Sequence, residues 1–310
     1  MTTSRAAINR SVTYPHLQPN TSYTIVIHVT DANGNAASTT LTFDTFSAAN
    51  YAWEAEDFDH DGGLFIDNPQ TNAYAGLGAI VGVDALQVNF AGTYLYRTNG
   101  MDTEVNGDQP RAQYQGTGFS DYTAGYFSDG AWMNYTRNYP AGTYYVYGRM
   151  ATGGGADSSV TLSEVTSGWG TTNQTTTQLG TFAVPFTAWE SYTFVPLRDN
   201  SGNLLPVTFN GSTNTLRVSR PTPTPALQDV NVNFLMLVPQ FTLHAAHNGA
   251  NVMLSFGTQT GFNYQLQYKT NLTDAAWQPL GSPIPGDGTV KSINDPVLTG
   301  GRRFYRAAIQ

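Results

Sequence analysis

Along much of this chain, apolar and polar residues alternate with a period of two. In Tyr23–Thr30 (YTIVIHVT) the alternation is clean. A period of two marks a strand, because successive side chains point to opposite faces of a sheet. Short runs rich in Thr, Val, Tyr and Phe recur to the C-terminus, punctuated by Gly, Asn, Asp and Pro, and almost nothing has a helical period. Asp31–Asn35 (DANGN) is turn chemistry, with Asn33-Gly34 expected to supply the positive φ values of a tight hairpin. Ala37–Phe43 returns as the partner strand. An isolated hairpin is marginal in water, so residues 1–46 read as the last part of a larger sandwich.

The pattern shifts at Tyr51. From there to Val238, many short, evenly spaced strands predict a β-sandwich of jelly-roll type. Pro221-Thr-Pro-Thr-Pro225 could be an interdomain linker or a long loop within that unit. The loop is preferred, because the strongly apolar Val230–Val238 (VNVNFLMLV) is placed to pair with the opening strand. A third segment, 241–310, carries strand signals at 241–245, 252–256, 263–269 and 302–308, with Tyr264, Tyr268 and Trp277 expected in its core. The predicted class is all-β, in segments 1–46, 51–238 and 241–310.

Composition narrows the function. Charged residues make up 12% of the chain, against about 25% in an ordinary soluble domain. The net charge is −8 and the only lysines are Lys269 and Lys291, so the clustered basic residues that nucleic-acid binding requires are missing. Aromatics are too many for intrinsic disorder. The longest apolar run, Phe234–Pro239, is far short of the roughly 20 residues of a membrane span. Without cysteine there is no disulfide framework, thiol nucleophile or thiolate metal site. The opening Met1–Ala6 has no basic stretch followed by an apolar core, so no signal peptide is expected in this chain, which reads as a fragment.

Acidic residues are densest in Trp53–Gly63 (WEAEDFDHDGG). Glu54 and Glu56 share one face of a strand, and like carboxylates side by side share a cation or a proton. Calcium suits such oxygen ligands. Asp57, Asp59 and Asp61 repeat the odd spacing of a calcium loop, but Asn68 at the twelfth position fails the EF-hand pattern. A solvated acidic turn is the alternative, and His60 is expected at the surface.

Several motifs then fall in a familiar order. They are Glu54-Ala-Glu-Asp57, Gly125–Tyr135 (GYFSDGAWMNY), Pro140–Arg149, Ala188–Tyr192 (AWESY) and Asn231-Val-Asn-Phe234. Together they resemble family 6 carbohydrate-binding modules and the related family 35, over about three-fifths of the chain. The resemblance implies a sugar stacked between Trp132 or Tyr126 on one side and Trp189 on the other, with Asn231 bonding its hydroxyls. It also implies a structural calcium at Glu54 and Glu56, with Asn233 near the third ligand position. Ala131 and Asn233 stand where many members carry Asp. Leu17–Thr45 resembles the closing strands of a bacterial immunoglobulin- or fibronectin-type repeat. Gly261–Tyr268 followed by Trp277 resembles a small fibronectin type III-like module. The implied setting is a secreted multimodular bacterial protein, outside the cell or on its surface.

A charge-poor surface rich in Tyr, Trp and Asn suits a neutral glycan, whose C–H faces stack on rings while its hydroxyls need a few directed partners. Catalysis finds less support. Glu104, Asp108, Asp121, Glu164 and Glu190 are available as loop acids, Glu104–Arg111 being the most polar loop, yet nothing pairs them as glycoside hydrolysis requires. The five histidines are scattered, no Gly-x-Ser-x-Gly elbow occurs, and Gly153–Gly155 reads as a flexible turn. Three functions follow. The favoured one is non-catalytic binding of a polysaccharide or oligosaccharide. The others are a surface or filament subunit that self-associates through residues 1–46, and a polysaccharide hydrolase using loop carboxylates.

Overall fold

The computed structural model describes residues 21–46, 50–89, 91–107, 118–222, 227–249, 251–258, 262–287, 289–296 and 302–309. No helix occurs among the described residues, and the chain is all-β, with sandwich-like sheets.

β1 (Thr21–Thr30) and β2 (Ala36–Thr45) form a two-stranded antiparallel ribbon. Its turn uses an aspartate rather than a two-residue Asn-Gly loop. The Asp31 carboxylate accepts the backbone N–H groups of Asn33 at 2.8 Å and Asn35 at 2.9 Å, and of the expected pair only Gly34 takes positive φ, at 82°. The register sets Ile25 opposite Leu41 and Val29 opposite Ala37, with Ile27 between them. That places these apolar side chains on one face of the ribbon, and Ile25, Ile27, Val29 and Leu41 are exposed there.

Twelve further strands form the centre of the molecule. They are β3 (Tyr51–Glu54), β4 (Ala85–Leu86), β5 (Thr103–Val105), β6 (Tyr122–Phe127), β7 (Trp132–Asn138), β8 (Gly142–Ala151), β9 (Ser158–Ser167), β10 (Thr175–Val184), β11 (Thr193–Arg198), β12 (Pro206–Phe209), β13 (Thr213–Ser219) and β14 (Val230–Pro239). One layer runs β4-β7-β13-β9-β10. The other runs β11-β8-β14-β6-β5, with β12 added on β8 and β3 on β14. β11 joins the layers, pairing with β8 through Thr193–Pro196 and with β10 through Leu197 and Arg198. Met133, Tyr135, Leu162, Phe182 and Leu216 of the first layer pack into one core with Val146, Val232, Leu235 and Leu237 of the second.

β14 is buried along its whole length. Val230 and Val232 face the core, a register shift follows before Phe234, and the core-facing parity then switches to Leu235 and Leu237. Phe234, Met236 and Val238 therefore point outward, where Phe46, Tyr147 and Phe194 cover them. Phe46 stands 4.4 Å from the Phe194 ring and 5.2 Å from the Tyr147 ring. Burial on both faces explains why Phe234–Pro239 is continuously apolar rather than alternating.

In the acidic segment after β3, Asp57 and Asp59 have partners in the protein interior. Two fully buried arginines run beneath the segment. Arg97 donates to the carbonyls of Glu56, Phe58 and Asp59, and Arg137 donates to the carbonyl of Asp57. Asp57 accepts the Tyr96 hydroxyl at 2.7 Å. Asp59 accepts the Thr136 N–H at 2.7 Å and its hydroxyl at 2.6 Å, with Arg137 at 3.8 Å. Asp57 and Asp59 thus balance interior cations, as buried charge requires. His60 is buried, contrary to expectation, with Nδ1 2.9 Å from Asp61.

The last segment holds β15 (His244–Asn248), β16 (Asn251–Gly257), β17 (Asn263–Lys269), β18 (Gln278–Pro279), β19 (Ile284–Pro285), β20 (Val290–Asp295) and β21 (Phe304–Ile309). One sheet is β15-β16-β20. The other centres on β17, which pairs with β18, β19 and β21. Leu254, Phe256, Phe262, Tyr264 and Leu266 form the shared core. Tyr268 and Trp277 are only half-buried. They carry cations instead, Arg303 over Tyr268 at 4.1 Å and Arg306 over Trp277 at 4.6 Å.

Candidate functional site

Near the end of the sandwich where β14 begins lies a cleft of about 310 Å³, lined by Glu104, Tyr126, Trp189, Glu190, Asp229 and Asn231. The six side chains arrive from four parts of the fold. Glu104 lies in β5, Tyr126 in β6, Trp189 and Glu190 in the loop before β11, Asp229 just before β14 and Asn231 at its start. Three of the four sugar-binding residues expected from the sequence, Tyr126, Trp189 and Asn231, thus share one cavity. Tyr126 is 41% exposed and Trp189 47% exposed. Large rings left this open to water are available for stacking.

The backbone is shaped to present them. Non-glycine residues with positive φ are uncommon and cluster at functional sites. Here Tyr126 has φ 49°, and Ala188 (φ 106°) and Glu190 (φ 60°) bracket Trp189. Ala188 and Thr187 donate their N–H groups to the Thr152 carbonyl at 3.2 Å, which anchors that loop to the end of β8. Glycines clear the floor. A Cβ on Gly153 would stand 2.3 Å from the Trp189 ring, and one on Gly125 would stand 2.8 Å from Glu104 Oε2. Gly153 therefore seats the tryptophan, a narrower task than the flexible turn expected of Gly153–Gly155.

Glu190 is held at both oxygens. Oε2 accepts the Gly107 N–H at 2.7 Å and Oε1 accepts Asn231 Nδ2 at 3.3 Å. Burial, followed by the charges of Glu190 and Asp102, pushes the Glu104 carboxyl above its ordinary range. Burial and the Asp129 charge raise Asp229 against the opposing pull of Arg220. Behind the wall, burial pushes the Tyr192 phenol well up, and Arg149 covers its ring at 4.7 Å. Asp108, the other acid of the Glu104 loop, lies outside the described residues.

Trp132 is elsewhere. It lies in β7 of the opposite layer, paired with Leu86 and Ser219, with the Arg217 guanidinium 3.7 Å from its ring. The tyrosine of the Gly125–Tyr135 motif, not its tryptophan, reaches the cleft. Glu190 and Asp229 were not expected as lining residues, yet the sequence carries a sign of each. Glu190 follows Trp189 directly, and Asp229 immediately precedes the strand that carries Asn231.

For calcium, Glu56 offers one suggestive atom. Its side chain is 2% exposed and Oε2 has no hydrogen-bond partner. Burial, then Glu54, Asp57 and Asp121, push its carboxyl well above the ordinary range, which is the state a bound cation would relieve. Asn233 fits less well. Its Oδ1 accepts Arg149 Nη1 at 2.5 Å, and its Nδ2 donates to Asp121 at 3.0 Å and to the Tyr122 carbonyl at 2.7 Å. Glu54 and Glu56 could therefore hold a divalent cation only with other oxygen ligands. Among the described residues, no group of three or more Asp, Glu or His side chains is arranged around one point.

No family model matches the chain, and no curated protein matches it. Among solved structures, the chain is similar to CsCBM6-3 from Clostridium stercorarium, a carbohydrate-binding module solved in complex with cellobiose. The identity is 14%, covering 62% of this chain and 95% of that one, with a TM-score of 0.33. It is also similar to the N-terminal CBM22-1–CBM22-2 tandem domain of Paenibacillus barcinonensis Xyn10C, at 13% identity over 68% of this chain and 83% of that one, with a TM-score of 0.26. Both neighbours are carbohydrate-binding modules, and at these scores any function for this chain has to rest on its own cleft.

Proposed function

We propose that this chain binds a polysaccharide or oligosaccharide without cleaving it, holding a sugar ring between Tyr126 and Trp189. The carrying observation is that two exposed rings share one cleft with Asn231 and carboxylates. Sugars need such a mixture of flat apolar faces and directed polar partners. Glu190 has both oxygens committed to holding Gly107 and Asn231, which suits a positioning group better than a nucleophile. Affinity electrophoresis against a panel of soluble glycans tests the reading. Retardation by at least one glycan, lost in Trp189→Ala, is expected. No retardation by any glycan sinks it.

A calcium ion at Glu54 and Glu56 belongs to the same proposal, supported by the unpartnered Glu56 oxygen. So does an extracellular or cell-surface location, where polysaccharides are met.

A second reading, self-association through the β1–β2 ribbon, draws on its exposed apolar face. A second copy can present the same uncharged side chains. Light scattering would then show concentration-dependent assembly that disappears when residues 1–46 are deleted. A strictly monomeric chain rules this out.

A further inference from the structure

The cleft is more acidic than a neutral sugar requires. Glu104, Glu190 and Asp229 all line it, and among the described residues its lining has no arginine, lysine or histidine. We infer that the cleft selects a cationic glycan, a polymer of 2-amino-2-deoxy sugars whose amines are free and protonated. This rests on the glycan-binding reading above.

Three features point the same way. First, carboxylates only accept hydrogen bonds, whereas a sugar ammonium offers three donors and no acceptor. A hydroxyl offers one donor and brings lone pairs that find few donors here, since Asn231 Nδ2 is turned to Glu190. Second, Glu104 lies across Gly125, with no side-chain donor among the described residues. Burial, then repulsion from Glu190 and Asp102, raises the Glu104 carboxyl, and burial raises that of Asp229, with Asp129 adding repulsion against the pull of Arg220. An entering cation relieves that repulsion, a neutral sugar does not, and a uronate or sulfate adds to it. Third, the walls are Tyr126 and Trp189, whose ring faces attract cations as well as sugar C–H groups. N-acetylation would remove the charge and two of the amine donors, so the acetylated polymer is the poorer ligand.

The test is isothermal titration of the full chain with four trimers, those of glucosamine, N-acetylglucosamine, β-1,4-linked glucose and galacturonic acid. The glucosamine trimer should bind at least about tenfold more tightly than the glucose trimer, with an advantage that shrinks as salt rises. The galacturonate trimer should bind most weakly. Glu104→Gln and Asp229→Asn should each weaken the glucosamine trimer by more than they weaken the glucose trimer. Thermal melting of each variant reports its folding, and the salt series on the unaltered chain does not depend on either variant.

Equal or tighter binding of the glucose, acetylated or galacturonate trimer overturns the cationic assignment while leaving glycan binding in place. Binding of no trimer, together with no retardation by any polysaccharide, removes both.

Discussion

At the scale of single residues, the cleft depends as much on missing side chains as on present ones. Gly153→Ala puts a methyl group where the Trp189 ring lies, 2.3 Å from its nearest atom. The ring must swing away, so glycan affinity should fall by about tenfold while stability changes by less than about 1 kcal/mol, read by titration and thermal melting. Asp59 makes a separate prediction. Burial raises its carboxyl to about 6 from an ordinary 3.8, against the opposing effects of Thr136 and Arg137 and with Asp84 adding to the rise. A raised carboxyl binds its proton more tightly in the folded state. Its stabilising contribution is therefore complete below about pH 4 and is lost as pH rises through about 6. The difference is worth about 3 kcal/mol. Melting across that window should show stability falling with rising pH, with a shallower slope in Asp59→Asn.

Elements show which parts of the molecule could be read from sequence. Phe46 caps the outward side of β14 against Tyr147 and Phe194, so Phe46→Ala should cost about 1–2 kcal/mol in a denaturant melt. β14 was legible because its stretch Phe234–Pro239, buried on both faces, is apolar throughout. β20 was not, because Val290–Asp295 (VKSIND) is mostly polar and is held by its pairing with β16. Trp189 and Asn231 were legible in local motifs. The choice between Tyr126 and Trp132 was not. Both sit on strands of one motif, but β6 and β7 belong to different layers, and that separation is decided by long-range pairing. The partners of Asp57 and Asp59 were hidden for a similar reason, since Arg97 and Arg137, which lie against that segment, come from distant positions in the chain.

For the whole molecule, the calcium proposal makes a direct prediction. A ligand bound only by the folded state stabilises it by about 3 kcal/mol at roughly a hundredfold excess over Kd. Chelation should therefore lower Tm, calcium should restore it, and Glu56→Gln should melt identically with and without the ion. The fold also sets a path for force. Asn231 stands at the cleft end of β14, and Pro239 ends the same strand on the side leading to β15. Tension between a captured polymer and the C-terminal module would run along that single strand. β8 pairs with β14 from Asn231 to Pro239, and β3 and β6 grip its other edge. Such a pull would load many backbone hydrogen bonds together in shear, so the strand that carries Asn231 into the cleft would also serve as a tether.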